Sequence, residues 1–396
     1  MARPASFEYN AGMEDASILE MVARATRLRE GPAGVAAVLR AVYRAGSLRL
    51  QDAAREARLP LPVTTAIRRE LEKLGLLERK HGLSLTAEGR GFVETTLGLA
   101  VTQDPNCPAC GGRGIVIPAA IASEVERLSA IIAHAPPIDV ALDQSPCTPE
   151  TAFLRTLLML KDGALEGRRV LVLGDDDSLS VAIGLIGRAL GRDDLTRGVV
   201  VIESDERRVA FLRAAAREER IAIDVIHHDL REPLPVRLRR SFDVVATDPP
   251  YTLAGAKLFL GRGGEALQGG GACYFSFAQW PADQLADLQR LFLDLGFAAR
   301  AIHPGFNRYL GASVLGNVGD LFELVQVRPA EADLPAWTDP LYTAEVNPRV
   351  RVYVCGDCRS EIVLGENGAP ATIEALKTAG CPVCGGGVFR RRAGGS

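Results

Sequence analysis

Val170-Leu171-Val172-Leu173-Gly174-Asp175-Asp176-Asp177 is the stretch whose reading decides the fold. Four apolar residues run into one glycine and three consecutive carboxylates. A helical pattern then begins at Ser178-Leu179-Ser180-Val181-Ala182-Ile183. A buried parallel strand that feeds a helix through a short loop is the first βα unit of a nucleotide-binding sheet. Such a loop normally carries glycines, whose backbone N–H groups cradle a phosphate. Three negative charges would repel a pyrophosphate. They suit the positive end of the helix dipole and attract a cation, so a cationic ligand is expected here. Helix capping alone accounts for one of the three acids, not for the run.

Working outward, Gly198 to Glu203 reads as the second strand, with Asp205 two residues beyond its end. An acid at this place holds ribose hydroxyls in nucleoside-binding folds, so Glu203 or Asp205 is the candidate. Ala222 to His227 is the third strand and brings Asp229 to the edge, toward an adenine. Phe242 to Thr247 is the fourth and delivers Asp248-Pro249-Pro250-Tyr251-Thr252. Gly271 to Phe277, Ala298 to Ile302 and Leu321 to Val327 complete seven strands, the last two readable as a hairpin. This succession resembles the class I methyltransferase-type Rossmann fold, an α/β architecture, over residues 151–330. Before it, Thr151 to Lys161 reads as a helix with Thr148 as N-cap and Pro149 at its first position.

The flanks differ in character. Within 1–103, helical stretches at 35–42, 50–57 and 63–74 precede two short strands around His81-Gly82, and the pattern resembles a winged helix. Residues 59–62 read as a turn. Arg68, Arg69 and Lys73 lie on the third helix, but Glu70 and Glu72 offset them, so a DNA-binding face is not indicated. Residues 104–150 connect this module to the sheet and carry a Gly-rich Cys107-Pro-Ala-Cys110 knuckle. No second Cys pair lies near it, so metal is not assigned there. Residues 331–350 read as a linker. In 351–396, Cys355, Cys358, Cys381 and Cys384 form two Cys-x-x-Cys knuckles at zinc-ribbon spacing, and a structural zinc is expected. So short a tail buries little core, which makes metal the main source of its folding energy.

Composition limits the alternatives. A chain of 396 residues, 47% hydrophobic and 24% charged, is an ordinary globular chain with room for several domains. A net charge of −3 supplies no polybasic signature, so nucleic acid is not expected as a partner. No apolar run approaches a membrane span, and no signal-peptide pattern opens the chain. Cysteines in Cys-x-x-Cys pairs without an export signal indicate a reducing cytoplasm. A homodimer is expected.

The edge loops suggest chemistry. Two prolines stiffen the turn after the fourth strand. Asp248 and nearby carbonyls can accept hydrogen bonds from an amino group, with Pro249 shaping the turn and Tyr251 covering a cation or a flat base. An amine must lose a proton before it attacks. Asp175, Asp176, Asp177 or Asp248 can accept that proton, and the residues do not say which. So much negative charge favours a polycationic acceptor such as a polyamine.

Gly174-Asp175-Asp176-Asp177, Asp248-Pro249-Pro250-Tyr251-Thr252 and the N-terminal winged-helix pattern together resemble the branched-chain polyamine synthases, the N4-bis(aminopropyl)spermidine synthases of thermophilic bacteria and archaea, over roughly residues 30–330. The resemblance implies decarboxylated S-adenosylmethionine as aminopropyl donor, spermidine as acceptor at its secondary amine, and methylthioadenosine as the other product. It does not account for the C-terminal cysteines. The rival reading is an S-adenosylmethionine-dependent amino-methyltransferase acting on DNA or RNA. The acidic first loop and the missing basic stripe weigh against it. A small-molecule-sensing transcription regulator is a third reading. Dinucleotide redox chemistry is not expected, because the loop lacks the required glycines.

Overall fold

In a computed structural model, the described residues are 11–80, 82–102, 107, 109–310, 318–330, 334–346, 351–364 and 373–391. His81 of the expected hairpin turn lies outside them, as do residues 331–333 and 347–350 of the expected linker. The chain divides into two compact units. One comprises Met1–Ile138, Ser145–Pro249 and Lys257–Ala336; the other comprises Asp139–Gln144, Pro250–Ala256 and Trp337–Ser396.

The first unit begins with α1 (Ala11–Ala25), α2 (Gly31–Ala45), β1 (Ser47–Leu48), α3 (Leu50–Ala57), α4 (Leu61–Lys73), β2 (Leu77–Arg79), β3 (Leu83–Leu85) and α5 (Ala87–Thr95). The three strands form a small antiparallel sheet in the order β1-β3-β2. Val35, Val38, Leu39, Val42, Ile67 and Leu71 fill a core against this sheet. Of the residues read as a turn at 59–62, Leu61 and Pro62 in fact open α4, Pro62 lying in its first turn, where its missing N–H is no loss. Arg68 is buried and pairs with Glu72, and Lys73 pairs with Glu70. The helix that a DNA reader would present is therefore largely neutralised.

After α6 (Ala122–Ile132) and α7 (Pro149–Lys161) comes the main sheet: β4 (Arg169–Leu173), α8 (Leu179–Ala189), β5 (Gly198–Glu203), α9 (Glu206–Glu219), β6 (Ile223–His227), β7 (Phe242–Thr247), α10 (Leu253–Ala266), β8 (Leu267–Ala278), α11 (Ala282–Asp294), β9 (Phe297–Arg308) and β10 (Val318–Gln326). Seven strands lie in the order β6-β5-β4-β7-β8-β10-β9. Only β10 runs against its neighbours, pairing antiparallel with β8 and with β9. β4 is central, between β5 and β7, and Val170 to Leu173 are buried, as covered faces require. The strand order reverses beside β4, and an open α/β sheet binds ligands at such a switch point. β8 and β9 are longer than their apolar runs suggested, because Leu267 to Gly270 and His303 to Arg308 extend the strands without apolar alternation.

The second unit holds α12 (Thr343–Val346), β11 (Arg351–Cys355), β12 (Glu361–Leu364), α13 (Ile373–Ala379) and β13 (Phe389–Arg391). Its three strands lie in the order β12-β11-β13. Tyr353, Ile362, Leu364 and Leu376 make a small core with Cys355 and Cys381. Within the stretch read as a linker, the described residues Leu334, Pro335 and Leu341 are held by side-chain hydrogen bonds. In the first unit, Arg262 donates to the carbonyls of Leu334 and Pro335; in the second, Thr252 donates to that of Leu341.

Candidate active site

The loop after β4 is built by its own acids. Gly174 takes φ +67°, a left-handed conformation that glycine adopts without strain. Asp175 is fully buried and caps α8, accepting from the amides of Leu179 (2.7 Å) and Ser180 (3.3 Å) and from the Ser180 hydroxyl. It thus does the capping that a single acid was expected to do. Burial raises its pKa to about 7; the Ser180 hydrogen bond opposes that rise and the charge of Asp177 adds to it.

Asp177, 3% exposed, accepts from the Arg155 guanidinium and from the Cys147 amide. Arg155 also lies 3.6 Å from Asp248, so one buried cation stands between two buried carboxylates. Burial disfavours the charge on Arg155, but Asp177 and Asp248 more than offset it. Asp248 further accepts from the Tyr309 hydroxyl at 2.7 Å. Cys147 is fully buried, and burial, then Asp177, push its thiol well above the ordinary range, so it is no nucleophile at neutral pH.

Asp176 stands apart. It accepts from the Ser145 amide (2.8 Å), makes no ion pair among the described residues, and is partly exposed. Burial raises its pKa well above the carboxylate range. The charges of Asp177 and Asp248 add to this, and Arg208 opposes it. A carboxylate so placed accepts a proton readily or is stabilised by an approaching cation.

At the end of β5, Glu203 accepts from the amides of Asp175 (3.0 Å) and Asp205 (2.8 Å), tying the first two loops together. Asp205 caps α9 through the Arg207 amide and pairs with the Arg207 guanidinium. Asp229 is exposed and closes a turn onto the Arg231 amide. Pro249 is buried at the end of the turn that leaves β7. In the second unit, Tyr251 is half-buried, and Gly255 lets the proline turn fold back, since a Cβ there would stand 2.4 Å from the Pro250 carbonyl oxygen.

Sequence reading missed Arg155 and Tyr309. Arg155 left a signal: it is a lone charge inside the buried run Ala152-Phe153-Leu154-Arg155-Thr156-Leu157-Leu158-Met159. Tyr309 left none.

Elsewhere, the sulfurs of Cys355, Cys358, Cys381 and Cys384 all lie within 4.8 Å of one another, with Cys355–Cys384 and Cys358–Cys381 at 3.6 Å. Four thiolates around a tetrahedral zinc at about 2.3 Å stand roughly 3.8 Å apart, so the cluster can hold such an ion. Among the described residues no third ligand gathers with Cys107 and Cys110.

A mostly parallel sheet, acid-ended at its second strand and carrying an anionic first loop and a proline turn, defines a methyltransferase-like α/β protein. Residues 124–360 match the family model described as the branched-chain polyamine synthase A C-terminal domain. The chain belongs to the branched-chain polyamine synthase family. It is 35% identical over 304 residues to an N(4)-bis(aminopropyl)spermidine synthase of Thermus thermophilus, covering 74% of this chain and 81% of the relative. An uncharacterized protein of Methanocaldococcus jannaschii is 33% identical over 386 residues, covering 97% and 94%. A structure of the branched-chain polyamine synthase of Thermus thermophilus in complex with N4-aminopropylspermidine and 5'-methylthioadenosine matches with a TM-score of 0.65 and 30% identity, over 84% of this chain and 98% of that one.

Proposed function

We propose that this protein is an aminopropyltransferase. It moves aminopropyl groups from decarboxylated S-adenosylmethionine to the secondary amine of spermidine, giving a branched product and methylthioadenosine. The observation that carries the reading is the group of Asp175, Asp176, Asp177 and Asp248, the first and third of them buried, at the switch point of the sheet, partly neutralised by Arg155. A polycation supplies the counter-charge that Asp176 otherwise lacks.

In this reaction the amine lone pair attacks the carbon next to the sulfonium sulfur. The new C–N bond forms as the C–S bond breaks, and its electron pair returns to sulfur. The proton released from the acceptor passes to a carboxylate. Asp176 is the favoured acceptor, because its raised pKa brings it toward that of an amine, while Arg155 engages Asp177 and lies beside Asp248. Asp175 holds the loop through the helix cap. Glu203 is favoured for the ribose, since Asp205 is engaged by Arg207. Asp248 and Pro249 line the acceptor's approach, Tyr251 is the aromatic residue proposed to cover a cation or flat base, and Asp229 is assigned to the adenine. Alignment of the reacting atoms supplies on the order of 7–11 kcal/mol of the barrier reduction where geometry is good.

The domain division read from sequence belongs to the same proposal. The helices α2 to α4 with the β2–β3 hairpin support a winged helix at 1–103, and the four cysteines support a zinc ribbon at 351–396 with a structural ion. A homodimer and a cytoplasmic setting are part of the same proposal. Among the described residues no helix is long and apolar enough to cross a membrane.

Methanocaldococcus jannaschii holds both a named synthase and the uncharacterized relative that matches this chain nearly end to end. The acceptor is therefore the element to test first. Incubation with decarboxylated or intact donor and a panel of polyamines, read by mass spectrometry, should show aminopropyl gain on spermidine from the decarboxylated donor only. Methyl gain from the intact donor would favour the methyltransferase reading.

A further inference from the structure

Three buried polar atoms without a hydrogen-bond partner, Ser178 Oγ, Arg208 Nε and His228 Nε2, lie just past the carboxyl ends of β4, β5 and β6. The most demanding of them is Arg208. Its side chain is 1% exposed, and its guanidinium lies 5.7 Å from the centre of the Phe211 ring. Among the described residues it makes no hydrogen bond and no ion pair. A guanidinium keeps its proton at any working pH and presents a fork of donors, so burial without acceptors is costly. Buried polar groups are otherwise almost always satisfied.

The corner in which Arg208 stands is tightly connected. The Glu203 carboxylate takes the amides of Asp175 and Asp205, and its carbonyl takes that of His228 at 3.0 Å. Arg208 is close enough to Asp176 to stabilise its charge, yet forms no ion pair with it. Asp176 thus balances some of its charge from a distance, but directed acceptors are missing. A nucleoside offers such acceptors in its ribose oxygens and purine nitrogens. A phosphate would satisfy the fork too, but three acids of the adjoining loop oppose it.

We infer that Arg208 binds the nucleoside half of the donor, donating its guanidinium N–H groups to ribose or purine acceptors. Phe211 fixes the plane of the fork from one face. This rests on the nucleoside-donor reading proposed above.

Methylthioadenosine is a suitable probe, because it is neutral and carries the nucleoside without the aminopropyl group. Calorimetric titration of the full chain should give a Kd that Arg208→Gln weakens about 10- to 100-fold, the loss of charge-assisted hydrogen bonds, with Arg208→Lys intermediate. The donor KM should rise while the spermidine KM stays unchanged. Without ligand, Arg208→Gln should melt no lower than the parent, because an unpaired buried charge has been removed. Only its stabilisation by methylthioadenosine should shrink. An unchanged Kd in Arg208→Gln, with tight binding by the parent, overturns the inference and leaves the donor reading standing. A lowered melting temperature in both variants, or failure of both to fold, also overturns it, since Arg208 would then be structural. Absence of methylthioadenosine binding by the parent removes the donor reading itself.

Discussion

Replacing Arg155 with Met tests the electrostatic frame of the site. The side chains of Arg155, Asp177 and Asp248 are 3%, 5% and 9% exposed, so solvent screens them little. Met matches much of the arginine's stem but leaves Asp177 and Asp248 facing each other without their shared cation. Breaking a buried pair by removing one partner costs about 3–5 kcal/mol. At roughly 2–4 °C per kcal/mol for a domain of this size, the melting temperature should fall on the order of 10 °C. Scanning calorimetry without ligand reads this directly. Adding Asp177→Asn to Arg155→Met should recover most of the loss, since the charge left without its partner is then gone. The two sites should couple by about 1–3 kcal/mol in the cycle. A fall of under about 2 °C for Arg155→Met, or no recovery in the double variant, would refute the claim that Arg155 is the shared counter-charge of these carboxylates.

Other outcomes follow from the same geometry. Asp176→Asn should abolish turnover yet raise the melting temperature of the free protein by about 2–4 °C, the equivalent of about 1 kcal/mol. The sign follows from linkage: the folded pKa of Asp176 lies above its unfolded value, so its ionised form destabilises the fold, and the penalty is complete above the folded pKa. A lower melting temperature would contradict this. With Asp175 raised to about 7 and Asp176 raised as well, protonation as pH falls removes the charge that holds the polyamine. The acid limb of kcat/KM should therefore lie well above pH 4, where ordinary carboxylates titrate; a limb near pH 4 counts against this role of the acidic cluster. In the C-terminal cysteine cluster, elemental analysis should find one equivalent of zinc per chain. Cys381→Ser should lose it and expose residues 351–391 to protease. Full protease resistance without zinc would show that the metal is not structural.

Much of the scaffold was legible because burial leaves a one-dimensional trace. The runs at Gly198–Glu203 and Phe242–Thr247 begin and end where the strands do, since both faces are covered and polar residues mark the exits. The acids at these exits were legible for the same reason: the carboxyl edge of the sheet gathers whatever follows each strand. What pairs with those acids was not. Arg155 is 22 residues from Asp177, and Tyr309 is 61 from Asp248. Such pairings depend on how α7 and the end of β9 pack, and no local period encodes that. Sequence also left Glu203 and Asp205 equivalent, and the Asp205–Arg207 ion pair favours one over the other. The two-residue strand Ser47–Leu48 was invisible for want of length.

The central claim is that the acidic loop after β4 receives the amine of a polycation beside a nucleoside donor. A crystal structure of the protein soaked with spermidine and methylthioadenosine tests it most directly. The account predicts the secondary nitrogen of spermidine within hydrogen-bond reach of Asp176, with the thioether sulfur in line beyond it. Spermidine bound elsewhere, with the carboxylates of Asp176 and Asp248 touching neither ligand, would contradict it.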